Sequence, residues 1–194
     1  MNEAIKHKLG RKSVGVLLLL VAAFMIYWQL MMVIPPTNKA EHHWLFSLEP
    51  SGSAGEYFFK RLNFIEPEVF FVGAHGVGGL DGIHHVQDNR LGKSRLLTPA
   101  GLAKEINREK IQRGIALSTP IYLLACNGGS GSHSFAQELS NILKVDVIAP
   151  DQWLFVYPWG ETGTGRSVVS AFFNSGGSSF RRFKSNLEYP LAFD

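Results

Sequence analysis

Apolar residues along the chain fall into runs of different length and spacing, and each kind predicts a different element. Val14 to Ile34 (VGVLLLLVAAFMIYWQLMMVI) holds no charge, and Gln29 is its only amide. At ~1.5 Å per residue, a helix of this length spans about 30 Å, the hydrocarbon thickness of a bilayer. The segment predicts one N-terminal transmembrane helix, stopped by Pro35 and Pro36, which lack the N–H that a continuing helix needs. It is longer than the apolar stretch of a cleaved secretory signal and no small-x-small site follows it, so it reads as a signal-anchor.

Three shorter runs, Val69–Gly73 (VFFVG), Ile121–Ala125 (IYLLA) and Val145–Ala149 (VDVIA), are almost continuously apolar and end at glycine, cysteine or proline. Such runs suit strands buried on both faces of a parallel sheet. Between them lie two segments with helical spacing. The first has Thr98 as N-cap, Pro99 at the first helical position and Gly114 just past the end. Leu102, Ala103 and Ile106 form its apolar stripe, with Lys104, Glu105, Arg108 and Glu109 facing out. The second opens on a Ser134/Gln137 capping box and carries Phe135, Leu139, Ile142 and Leu143 on one face. Strand, helix, strand, helix, strand predicts right-handed crossovers and a three-layer α/β/α domain with a mainly parallel sheet.

The remaining segments lack a period. Residues 35–63 read as a connector, and Ala74 to about Leu97 reads as a long glycine-rich loop. Trp153–Trp159 suits a short strand or hairpin arm, Ser175–Ser179 a loop, and Phe180–Tyr189 a basic, aromatic tail. The expected organisation is a basic tail over 1–13, the membrane helix over 14–34, the connector over 35–63, and one α/β domain over 64–194.

Charge sharpens this picture. The chain of 194 residues has 19 Lys and Arg against 16 Asp and Glu. Lys6, Lys8, Arg11 and Lys12 face only Glu3 within the first 34 positions, so the whole excess sits there and the remaining charges balance. Basic residues before a span and few after it predict a cytoplasmic N-terminus and a periplasmic or other extracytoplasmic domain. The balanced domain argues against nucleic acid as a partner, because its footprint is a Lys/Arg-rich patch on the folded part. With 45% hydrophobic residues the chain is not disordered, and with one cysteine it holds no internal disulfide.

The candidate chemistry lies where two predicted strands end. FFVGAHGVGG places His75 just beyond the first, and IYLLACNGGSG places Cys126 at the tip of the second. Ligands of open parallel sheets bind outside the carboxyl ends of the strands. A cysteine nucleophile needs a neighbouring base, because the thiolate is the reactive form, and backbone N–H groups that hold the developing oxyanion. His84, His85 and His133 match no metal-ligand spacing, no phosphate loop or G-x-S-x-G elbow occurs, and no metal or cofactor is expected.

An apolar strand ending in His-Gly, followed by one ending in Ala-Cys, resembles the caspase-like cysteine peptidases. These include caspases, gingipains, separase-type peptidases and the self-processing protease domains of bacterial toxins. The likeness covers residues 68–151, and IYLLACNGG with FAQELSNILKVDVIAP looks most like stand-alone or toxin-associated bacterial domains. The 51 positions between His75 and Cys126 agree with the roughly 50 typical of caspases. The resemblance implies Cys126 as nucleophile, His75 as general base, and the N–H groups of Gly76 and Cys126 as oxyanion hole. Leu-Ala-Cys-Asn-Gly departs from the caspase Gln-Ala-Cys-x-Gly, so a preference for aspartate is not implied.

Asp151 and Trp153 follow the third strand and should border the same cleft, either selecting a basic side chain and forming an apolar wall, or capping a turn after Pro150 and packing in the core. The expected function is a membrane-anchored cysteine endopeptidase acting on a peptide or protein. A deamidase or transferase using the same dyad is the nearest alternative. A catalytically silent binding or regulatory module is the alternative from another class.

Overall fold

A computed structural model describes residues 14–25, 45–60, 69–79, 82–156, 162–165 and 179–186. The chain divides into two compact units, Met1–Pro35 and Pro36–Asp194. In the first, residues 14–25 are helical (α1). Among the described residues no helix is long and apolar enough to cross a membrane. This overturns the transmembrane helix expected over residues 14–34. Of the expected span, residues 14–25 are helical, and residues 26–34 lie outside the described ones.

In chain order the second unit contains β1 (Phe46–Ser47), α2 (Ala54–Lys60), β2 (Phe70–Gly73), β3 (His75–Gly79), β4 (Gly82–Asp88), β5 (Arg95–Leu97), α3 (Pro99–Gln112), β6 (Ile121–Leu124), α4 (Phe135–Leu143), β7 (Val147–Pro150), β8 (Trp153–Val156), β9 (Thr162–Gly165) and β10 (Phe180–Phe183). Five strands form the main sheet in the order β1-β2-β6-β7-β10. The first four are parallel, and β10 runs antiparallel to β7. Strands β3, β4 and β5 form a separate antiparallel sheet, and β8 pairs with β9 as a hairpin.

The expected mainly parallel, three-layer architecture is thus corrected to an α/β fold with a mixed main sheet and antiparallel companions. Residues 74–97 are largely the β3-β4-β5 sheet, not a loop. Glycine carries no side chain to show a period of two, yet its backbone groups pair like any others. Part of the connector is also structured, since β1 joins the main sheet and Phe59 of α2 is buried. In the tail, the Phe180/Phe183 spacing of three puts the rings on opposite faces of β10. Phe183 enters one core layer, and Phe180 packs against the other.

Both helices begin as expected. The Thr98 hydroxyl accepts from the Gly101 N–H at 3.2 Å, and the Ser134 hydroxyl accepts from the Gln137 N–H at 3.2 Å. The second capping box stays half made, because the Gln137 amide donates instead to Asn141 Oδ1 and to the Lys184 carbonyl, at 3.1 and 2.7 Å. Ser140 completes this link, donating to the carbonyls of Val145 and Phe183. The α4 face also differs from expectation: Ile142 is 41% exposed, and Ala136 and Ser140 are buried in its place.

α3 and α4 bury Leu102, Ile106, Phe135 and Leu139 against Phe70, Val72, Leu123 and Val147 of the sheet. The other face gathers Phe59, Phe71, Tyr122, Leu124, Ile148 and Leu154. Glu105 was expected to face out and is buried. It joins Asp88, Arg90, Arg95 and Arg108 in an ion network that ties β4 and β5 to α3. Lys110 is fully buried, its ammonium donating to the Leu117 and Thr119 carbonyls.

Candidate active site

Parallel pairing places the candidate residues in one row. Ser47 of β1 faces Gly73 of β2, and Gly73 faces Leu124 of β6. The pairing continues past the strand ends, where the Leu48 N–H donates to the Gly73 carbonyl and the Ala74 N–H to the Leu124 carbonyl. Two residues further along each chain stand Glu49, His75 and Cys126. Facing residues on neighbouring strands are roughly 4.8 Å apart. Cys126 and His75 lie at the face that carries Phe71, Tyr122 and Leu124, and Glu49 meets His75 from the bend after β1. The contacts agree: Cys126 packs against that cluster, and the His75 ring lies 6.1 Å from the ring of Phe59, one of its members.

Gly76 is forced by this arrangement. A Cβ there would sit 2.5 Å from the Cys126 carbonyl oxygen and 2.8 Å from Ile83 Cγ2. Only glycine lets β3 leave the first strand end while pressed against the second. On the other side, Asn127 adopts φ +56°, a left-handed conformation that asparagine tolerates, and turns the chain sharply after Cys126. The Asn127 N–H donates to the Gln152 carbonyl at 2.8 Å.

The thiol is held by β8. Leu154 donates its N–H to Cys126 Sγ at 3.4 Å, and the sulfur donates to the Leu154 carbonyl at 3.6 Å. Burial pushes the thiol above its ordinary range, with the Leu154 N–H acting in the opposite direction. His75 is half exposed, and its Nε2 lies 3.5 Å from Oε1 of buried Glu49. No hydrogen bond joins His75 to Cys126; the imidazole is engaged on the Glu49 side and the thiol on the Leu154 side.

Next to the Asn127 turn opens a pocket of about 460 Å³ whose lining includes Asn127, Ser130, Asp151, Gln152, Trp153 and Arg181. Asp151 and Trp153 therefore border one cavity, adjoining the residue after Cys126. Asp151 Oδ1 is buried without a hydrogen-bond partner among the described residues, and the Trp153 side of the cavity is open, with that residue 47% exposed. Arg181, from the segment read as a tail, brings a positive charge to the same cavity. His84 and His85 lie in β4, away from this row in sequence register, with His85 facing Val77.

Glu49 and its partner Asn89 escaped the reading of the sequence. Glu49 sits in the segment read as connector, after a two-residue strand too short to show alternation, and Asn89 sits in the glycine-rich stretch. The one signal available was an isolated carboxylate following a short apolar run, LFSLE.

No curated protein matches the chain. Residues 46–168 match the model of a family described as a domain of unknown function (DUF8616), and the chain belongs to that family.

Proposed function

We propose that this member of the DUF8616 family is a cysteine hydrolase, most directly an endopeptidase, with Cys126 as nucleophile and His75 as general base. One observation carries the reading: each of the two residues stands two positions beyond a paired end of adjacent parallel strands, and both side chains lie at the same face. The resemblance of the His-Gly and Ala-Cys strand ends to caspase-like peptidases supports the same assignment.

In this reading the Cys126 side chain rotates so that the thiol exchanges the Leu154 carbonyl for His75. The imidazole takes the thiol proton as Sγ bonds to the carbonyl carbon of the scissile amide. The N–H groups of Gly76 and Cys126 stabilise the oxyanion. The C–N bond then breaks, and the amine leaves with the proton from His75. Water, deprotonated by His75, attacks the thioester, releasing the acid and restoring the thiol. Asp151 pairs with a basic side chain of the peptide beside the scissile bond, and Trp153 covers its aliphatic part.

The raised thiol explains why the base must act at the moment of attack: the resting group is the thiol. The test mixes the full chain, and its Cys126→Ala variant, with a complex peptide pool, and reads new termini by mass spectrometry. Fragments made by the parent alone, enriched in Lys or Arg beside the cut, support the peptidase. Identical fragments from both overturn it. Side-chain deamidation without new termini assigns the same dyad to a deamidase.

A second reading, a catalytically silent binding module, draws on the thiol's hydrogen bonds to Leu154. It predicts that iodoacetamide labels Cys126 more slowly than a free cysteine at neutral pH, at a rate indifferent to His75→Ala.

A further inference from the structure

The carboxylate of Glu49 is built into the fold in a way that its position in a short edge segment does not require. Its side chain is 8% exposed, and a buried carboxylate needs partners for its oxygens. The Asn89 amide donates to both, at 3.1 Å to Oε1 and 3.3 Å to Oε2. The Glu49 backbone N–H donates to Ser47 Oγ at 3.1 Å. Asn89 is fixed in turn, since its own N–H donates to the Leu48 carbonyl at 2.8 Å. Space is closed on the remaining side: a Cβ on Gly55 of α2 would sit 2.7 Å from Glu49 Cγ. The carboxylate is thus clamped by β1, by the residue after β4 and by α2. No Lys or Arg pairs with it among the described residues, and the one ionisable group it meets is His75 Nε2 at 3.5 Å.

We propose that Glu49 is the positioning residue of the site, accepting the Nε2 proton of His75 and so leaving Nδ1 free to take the proton of Cys126. The carboxylate acts through the imidazole alone. It fixes which ring nitrogen carries the proton, turns the ring toward the neighbouring strand end, and stabilises the imidazolium that forms when the thiol is deprotonated. Asn89 holds the carboxylate where it can do this, and Phe59 limits rotation of the ring from the side. The row is therefore a triad set across three consecutive parallel strands, with the orienting acid at the sheet edge and the nucleophile toward its centre.

This inference rests on the proposed Cys126/His75 dyad, and the experiment separates the two. The full chain and the Glu49→Gln, Glu49→Leu and Asn89→Ala variants are compared in two ways, with thermal unfolding confirming that each variant is folded. The first is turnover of a peptide identified from the pool. Glu49→Leu should lower kcat about a hundredfold with KM little changed, Glu49→Gln and Asn89→Ala less. The second is the ring 15N signals of His75 at a pH where the imidazole is neutral. The parent should show the Nε2–H tautomer, and Glu49→Leu a mixture of both tautomers.

A His75 tautomer and a kcat indifferent to Glu49→Leu overturn the positioning role, even with the dyad active. A tautomer that depends on Glu49 in a chain without turnover supports the positioning role while overturning the hydrolase. If Glu49→Leu does not fold, the same readings on Glu49→Gln and Asn89→Ala decide.

Discussion

Asp88 and Asn89 are consecutive residues at the end of β4, yet they serve two differently built carboxylate centres. Asp88 takes Arg90 in a bidentate grip at 2.8 and 2.9 Å and Arg95 at 2.8 Å, while Glu105 accepts from Arg90, Arg95 and Arg108. The Arg90 guanidinium holds the Asp88 carboxyl well below the ordinary carboxylate range. Asn89 instead serves Glu49, whose one ionisable neighbour among the described residues is the half-exposed His75. One centre is saturated with charge and joins three elements. The other is held by the neutral amide of Asn89 and faces the imidazole of His75. The difference separates structure from chemistry more clearly than burial does, because both carboxylates are buried.

The comparison breaks first where the saturated centre loses a member. Asp88→Ala removes the buried carboxylate that Arg90 and Arg95 share, leaving both to Glu105, and should cost about 3 kcal/mol in urea unfolding, with the rate of Cys126 alkylation in the folded chain unchanged. A loss of reactivity at native occupancy would show that the two centres are one. Gly76→Ala tests the opposite end. Its Cβ must displace the Cys126 carbonyl or Ile83, for about 2 kcal/mol of stability, and here the alkylation rate should change as well.

Acid sharpens the contrast further. The folded-state carboxyl of Asp88 is depressed, so its contribution is complete above the ordinary carboxylate range and is lost as pH falls through and below it. Chemical-denaturation midpoints should drop through that window in the parent, and less so in Asp88→Asn.

The smallest effect comes from Lys110, a buried cation in neither centre. Burial brings its ammonium from 10.5 down to about 8. The unfolded chain therefore holds more protons than the folded one between these values, and stability from this group rises with pH across that window. Lys110→Met should remove the rise and leave the acid limb as it was.

How much of this was visible in the sequence follows from what each residue type signals. VFFVG and IYLLA gave strands because long apolar side chains buried on two faces leave an unbroken run, and VDVIA gave one from Val147 onward, past Asp146. Thr98, Pro99 and Ser134 gave helix starts because capping is local chemistry. His75 and Cys126 were found because both sit directly at the ends of such runs. The β3-β4-β5 sheet was invisible, since HGVGG has almost no side chains to alternate, and β10 was obscured by Arg181 and Arg182 between its two phenylalanines. Glu49 became legible only when strand pairing brought it beside His75, 26 positions later in the chain. Pairing between such distant segments leaves no local mark.

The shortness of β1 has a bearing on motion. Two residues at the edge of a sheet, with one strand partner among the described residues, hold few of the interactions that keep an interior strand closed. Edge segments of this kind open locally at free energies below that of global unfolding. Fraying of β1 would carry Glu49 away from the imidazole while β2 and β6 stay paired, so the three-residue row would shorten to two without the domain unfolding. Amide exchange at Leu48, whose N–H is held by the Gly73 carbonyl, times that opening. Exchange at Ala74, held by Leu124, serves as the slow reference one strand further in.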